Sequence, residues 1–186
     1  GRVDKRRDHV ILGRERHDNG RPGNQSYPVR AIIKDDLLYI YNMKPHLWPA
    51  GNPEIGYMDT DGSPTKTEIL KMNREGINSW YYKLCFDIRP EEELYDLSVD
   101  KDCINNLAAH PLFAERKMKL RNQLLNTLRK QQDPRMFGNG DVFDNYPVSN
   151  KANWNLYERI MNGELKNPWE QTRWINPTDY EIYIAD

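Results

Sequence analysis

From Pro111 to about Gln131, apolar residues recur at helical spacing: Phe113, Leu120, Leu124 and Leu128 form one stripe, supported by Met118 and Leu125, with Lys or Arg around the rest. A single amphipathic helix of this kind is marginal in water and gains its stability by laying the stripe on another apolar surface. The chain must therefore supply a sheet face, or a partner helix, for it to cover. Short runs rich in β-branched and aromatic residues provide the sheet: His9 to Leu12, Tyr27 to Ile33, Leu37 to Tyr41 and Glu93 to Leu97. Lys34, Asp35 and Asp36 make a tight polar turn between the second and third runs, so residues 27 to 42 are expected to form an antiparallel hairpin. The fold class is α+β, a small antiparallel β-sheet packed by a long amphipathic C-terminal helix, with extended loops and a tail. Residues 1–133 are expected to hold the sheet and its helix, and residues 134–186 a loop-rich aromatic extension packed on it.

Capping signals place the remaining elements. Ser63 followed by Pro64, or Thr65 with Glu68 as a capping box, starts a helix that runs through Ile69, Leu70 and Met72 to about Gly76. The aromatic run Ser79 to Phe86 suits a short helix or a strand, and the polar break Arg89-Pro90 after it favours the helix. A helical turn is expected at Ile104 to Ala108, and a helix from about Asn153 to Asn162. Met43 to Ser63 is a long loop punctuated by proline and glycine, of the kind that is commonly functional. Trp154, Trp169 and Trp174, with Tyr157, Tyr180 and Tyr183, crowd the tail, where aromatic rings anchor extended chain or stack on sugars.

Charge and motifs narrow the chemistry mainly by exclusion. A formal net charge of -1 gives no field to attract nucleic acid or an anionic membrane, and no apolar run approaches the length of a membrane span. Neither kind of partner is expected. His9, His17, His46 and His110 are scattered, without the spacing of a metal-binding helix or finger, and Asp59-Thr-Asp61-Gly62 opens like a calcium loop but its distal glutamate, Glu68, falls too early for the twelve-residue pattern. No metal site is expected. Cys85 and Cys103 are expected to be free, buried thiols, since two cysteines do not make a disulfide framework. Nucleophile elbows, phosphate-binding loops and dinucleotide fingerprints are missing. The segment from Gly13 to Arg30 stands out instead, because it sets Glu15, Arg16, His17 and Arg21 in a turn-rich stretch between two strands. Guanidinium groups suit planar anions, and His and Glu can orient hydroxyls, so these four are the candidate substrate-binding residues.

Tyr27-Pro-Val-Arg-Ala-Ile followed by Leu38-Tyr-Ile, and Glu93-Leu-Tyr-Asp-Leu-x-x-Asp-x-x-x-x-Asn-Asn-Leu-Ala108, resemble the C-terminal region of the type I sulfatases. The Gly-Arg-Glu-Arg-His-Asp segment and Asp61-Gly-Ser-Pro-Thr-Lys66 are similar to the heparan N-sulfatase, or sulfamidase, branch of that alkaline phosphatase superfamily. The likeness runs at least from Val10 to Asp141, although Lys101 and Cys103 stand where the family often has Pro and Glu. It implies the C-terminal subdomain of a hydrolase whose formylglycine, in a Cys/Ser-x-Pro/Ala-x-Arg motif, and calcium ion belong to a larger N-terminal part. Neither Cys85 nor Cys103 sits in that motif, so this chain is expected to lack the nucleophile and calcium ligands and to be inactive by itself. The resemblance further implies an N-terminal sulfatase domain of the same parent chain as partner, a sulfated glycan (glycosaminoglycan) as substrate, and a periplasmic or otherwise exported enzyme. Read from composition and loops without the resemblance, the chain suits a non-catalytic glycan- or protein-binding module, and a phosphoesterase of the same superfamily is the third alternative.

Overall fold

The four β-rich runs form one antiparallel meander with strand order β1-β2-β3-β4: β1 Val10–Arg14, β2 Val29–Lys34, β3 Leu37–Asn42 and β4 Glu92–Asp96. The computed structural model describes residues 4, 7–16, 20–51, 53, 63–147, 151 and 154–164. Within them lie four α-helices: α1 Pro64–Arg74, α2 Trp80–Cys85, α3 Ala114–Lys130 and α4 Leu156–Met161. The fold is α+β, as the patterning requires.

The β2–β3 hairpin closes through Asp35 and Asp36, both at positive φ (48° and 59°), the mirror-image turn whose twist matches that of the strands. Register sets Ile11, Ile32, Tyr39 and Leu94 side by side across the four strands. Ile32, Leu37, Tyr39 and Leu94 bury against Leu120, Leu124 and Leu128 of α3, so the stripe covers the sheet as its spacing demands. Two parts of that expectation change. Met118 is 56% exposed and lies outside the core, and the helix proper begins at Ala114 after a 3-10 turn, Pro111–Phe113.

The expected helical turn at Ile104 to Ala108 does not form. Cys103 sits at φ 54°, and the Asp100 carboxylate accepts from the N–H groups of Ile104 and Asn105, which takes up the donors a helix start would use. The segment instead laces the open edge of β4. Leu94 N–H donates to the Asn106 side-chain oxygen at 2.9 Å, and Leu107 N–H donates to the Leu94 carbonyl at 2.7 Å. An edge strand whose polar groups are satisfied in this way is protected from pairing with another chain.

The chain divides into two compact units, each gathered from segments that are separated in sequence. One holds residues 1–15, 28–44 and 90–143, which carry the sheet and α3. The other holds residues 16–27, 45–89 and 144–186. In this second unit α1 starts as its cap signals require: Ser63 Oγ accepts from Lys66 N–H at 3.1 Å, with Pro64 in the first turn. The aromatic run after it is helical, with Asn78 capping Trp80 N–H at 2.8 Å. Helix α4 is shorter than expected and rests on the 3-10 turn Pro22–Asn24. There Asn24 and Asn155 exchange hydrogen bonds of 2.5 and 2.9 Å, and the Glu158 carboxylate accepts from Gly23 N–H at 2.6 Å. The aromatic tail beyond Glu164 and the Asp59 to Gly62 turn lie outside the described residues.

Candidate functional site

The Gly13 to Arg30 segment divides between the units. Glu15 belongs to the sheet unit, and Arg16 through Tyr27 to the other. In the sheet unit β1 delivers Glu15 from its C-terminal end, β2 delivers Arg30, and the turn after α3 delivers Asp133 and Arg135. Arg30 donates to Glu15 at 2.5 Å and to Asp133 at 2.6 Å, and Arg135 donates to both oxygens of Glu15 at 3.2 and 2.8 Å. Two cations and two carboxylates thus form a closed, nearly buried array, with the guanidinium carbons of Arg30 and Arg135 at 6.0 and 5.4 Å from the Phe143 ring centroid. Gly13 and Gly140 leave room for it. A Cβ on Gly140 would collide with Arg135 Cδ, and one on Gly13 would stand 3.3 Å from Arg30 Cδ.

Burial acts to lower the Arg30 guanidinium, but the Asp133 and Glu15 carboxylates outweigh it and hold the group above its ordinary value. Burial acts to raise Asp133, and the Arg30 donor and Arg135 backbone N–H outweigh that too, so its carboxyl lies below the ordinary 3.8. A carboxylate depressed in the folded state contributes stability that is present above its unfolded pKa and is lost as pH falls through the folded value. The urea midpoint of the sheet unit should therefore drop as pH falls from about 5 toward 2. Asp133→Asn should flatten that drop, and an unaltered pH profile in the variant would exclude Asp133 as its source.

On the same sheet face Glu92 accepts from the Tyr39 hydroxyl at 2.6 Å and from Lys117 at 2.8 Å. Burial and the Glu92 carboxylate push the Tyr39 phenol above its ordinary range. A phenol held protonated here ties sheet to helix and is no base. The Cys103 thiol is likewise raised, by burial and then by Asp100, so it is a poor nucleophile at neutral pH. A depression of about 260 Å³ between the β2–β3 turn and α3 is lined by Lys34, Arg116 and Lys119. Lys34 pairs with Asp8 and Lys119 with Glu115, each at 2.6 Å, which offsets their charge toward an anion.

In the second unit Arg21 is 2% exposed. It donates to the carbonyls of Trp48 and Pro49 at 2.7 and 2.8 Å, with its guanidinium 5.7 Å from the Tyr27 ring centroid. Arg16 donates to the carbonyls of Asp144 and Tyr146 at 3.2 and 2.5 Å, and the Asp144 carboxylate accepts from Ser26 N–H at 2.7 Å. His17 lies outside the described residues. Both arginines hold loop carbonyls, a use their residue type does not reveal. Arg30 and Asp133, central to the array in the other unit, escape a reading of the sequence because ion partners 103 positions apart leave no local signal.

A formylglycine needs its precursor residue in the Cys/Ser-x-Pro/Ala-x-Arg motif, and a calcium ion needs converging oxygen ligands. Among the described residues no group of three or more His, Cys, Asp or Glu side chains converges as a metal ion requires. Both cysteines are free, but neither is buried as expected: Cys85 is exposed and Cys103 is only partly covered. Cys85 to Arg89 keeps the first and last residues of the Cys/Ser-x-Pro/Ala-x-Arg pattern but has Asp87 at its centre, and Arg89 is bound to the carbonyls of Lys83 and Leu84. Ser26-Tyr27-Pro28-Val29-Arg30 matches the pattern letter by letter, which corrects the expectation that no such string is present. Ser26 is fully buried, however, and Arg30 is committed to Glu15 and Asp133. That string serves packing and ion pairing, and the described residues do not fit the two groups.

Among the described residues no helix is long and apolar enough to cross a membrane. No family model matches the sequence. Over 101 residues, 52% of this chain, it is 32% identical to an Ulvan-active sulfatase of Formosa agariphila. The match covers 16% of that protein, so the chain spans a small part of its relative's length. The comparison relates about half of this chain to a sulfatase.

Proposed function

We propose that the chain is the C-terminal part of a sulfatase and helps complete the pocket in which a sulfated sugar is held. The observation that carries this reading is the 32% identity to a sulfatase. The α+β unit of four strands and one covering helix, which the resemblance to the type I family implied, agrees with it. An N-terminal domain of the same exported parent would bring the formylglycine and calcium, whose chemistry is activation of the nucleophile and stabilisation of charge on the sulfate oxygens. The residues of this chain would choose the substrate. His17 would meet the sugar that bears the sulfate, while Arg16 and Arg21, committed to backbone carbonyls, would keep their loop in shape, and Glu15, held by Arg30 and Arg135, would fix the end of β1. A polymeric sulfated glycan is the substrate class, supported by the ulvan activity in the relative's name, and a heparan N-sulfate-like sugar is its finer form.

In the full-length parent, His17→Ala should lower kcat/KM on a sulfated oligosaccharide by at least about tenfold, the scale of one lost charged hydrogen bond. The melting temperature should stay unchanged. Unaltered kcat/KM would remove His17 from substrate recognition, and a parent inert toward every sulfate ester and sulfamide would end the sulfatase reading.

A further inference from the structure

Helix α2 is only six residues long, yet it turns two large rings to solvent: Trp80 is 47% and Tyr81 45% exposed, with centroids 4.9 Å apart at 75°. The inner side of the helix is already supplied, because Tyr82 meets the buried Phe86 edge to face at 6.0 Å. The outward rings are thus not needed to pack the helix. Ile77, highly exposed, extends the apolar surface at the α1–α2 turn. Arg89 binds the Lys83 and Leu84 carbonyls at the C-terminal end of α2, so the rings stand on a braced element.

Local charge indicates what would cover them. From Lys71 to Arg89 the sequence holds four basic residues, Lys71, Arg74, Lys83 and Arg89, and two acidic ones, Glu75 and Asp87, in a chain whose net charge is -1. Lys83 follows Trp80 by three positions, which brings it to the same side of the helix, and both Lys83 and Lys71 are exposed. The Asp87 carboxylate accepts from Ile88 N–H at 2.8 Å. Flat rings beside exposed ammonium groups match a pyranose chain, whose C–H faces stack on aromatics, carrying sulfate groups that pair with lysine. Resting on the sulfated-glycan reading above, we propose that Trp80, Tyr81 and Lys83 form a stacking surface for a sulfated polysaccharide chain.

The test is affinity electrophoresis of the full-length protein through gels containing a sulfated galactan, or the same galactan after chemical desulfation. The sulfated polymer should retard the protein. Trp80→Ala with Tyr81→Ala should weaken binding at least tenfold with unchanged circular dichroism and melting temperature, and Lys83→Gln should weaken it about threefold on the sulfated polymer only. Undiminished binding by the double variant overturns the proposal, as does equal retardation by both polymers. Self-association that depends on Trp80, without glycan binding, also overturns it in favour of a contact between copies. Turnover of 4-nitrophenyl sulfate is measured alongside. Its absence, together with inertness toward polymeric sulfates, counts against the sulfatase reading and leaves the binding result to judge the surface by itself.

Discussion

Arg30→Ala is expected to destabilise the sheet unit by about 3–5 kcal/mol, the cost of breaking a buried ion pair from one side. Arg30 is 6% exposed and touches both Glu15 and Asp133 in the array with Arg135. Its loss leaves Asp133, 11% exposed, without its guanidinium partner, and Glu15 with Arg135 only. Against a typical domain stability of about 5–15 kcal/mol, this is enough to populate the unfolded unit under mild denaturant. Arg30→Lys should recover part of the loss, because an ammonium keeps the charge but cannot fork between two carboxylates. Gly140→Ala should act through the same array by forcing Arg135 off Glu15, at about 1–3 kcal/mol, the usual cost of overpacking. The segments of the sheet unit contain no tryptophan, so hydrogen exchange of peptides from β2 and α3 is the appropriate measurement. A loss below about 1 kcal/mol for Arg30→Ala would show the array to be surface-like in energy.

Leu124→Ala should be comparably damaging, at about 2–5 kcal/mol, because the residue is fully buried and its neighbours cannot close the void without moving the helix off the sheet. Met118→Ala, on the exposed side of the same helix, should change stability by no more than about 0.5 kcal/mol. Measuring the two side by side separates packing from helix propensity, since both substitutions install the same residue. Equal effects would mean that the stripe is not what holds α3 to the sheet.

Elements with a local cause are legible in the sequence. The Asp35-Asp36 turn, the Ser63 cap with Pro64, and the spacing of Leu120, Leu124 and Leu128 each act within a few residues, and each appears in the structure where it is expected. Ile104 to Ala108 is the counter-example, where an apolar spacing suggests a helix but the Asp100 carboxylate and the need to satisfy the edge of β4 take the backbone donors. Met118 shows the other limit, since a residue beside the stripe is assigned to the core only by knowing where the sheet ends.

The candidate site is less legible than the fold. Arg21 and Arg16 carry the chemistry expected of anion ligands, yet their donors are directed to carbonyls of chain that returns from elsewhere in sequence. Arg30 is inconspicuous inside a strand because its value depends on Asp133, 103 positions away. By itself the sequence determined the element types, the hairpin and the obligation of α3 to cover a sheet, since periodicity, capping and turn chemistry are short-range. Tertiary structure decided which charges are paired and buried, which rings of α2 face water, and how separated segments gather into each unit. Those outcomes turn on desolvation and on contacts between residues far apart in the chain, to which no local pattern is sensitive.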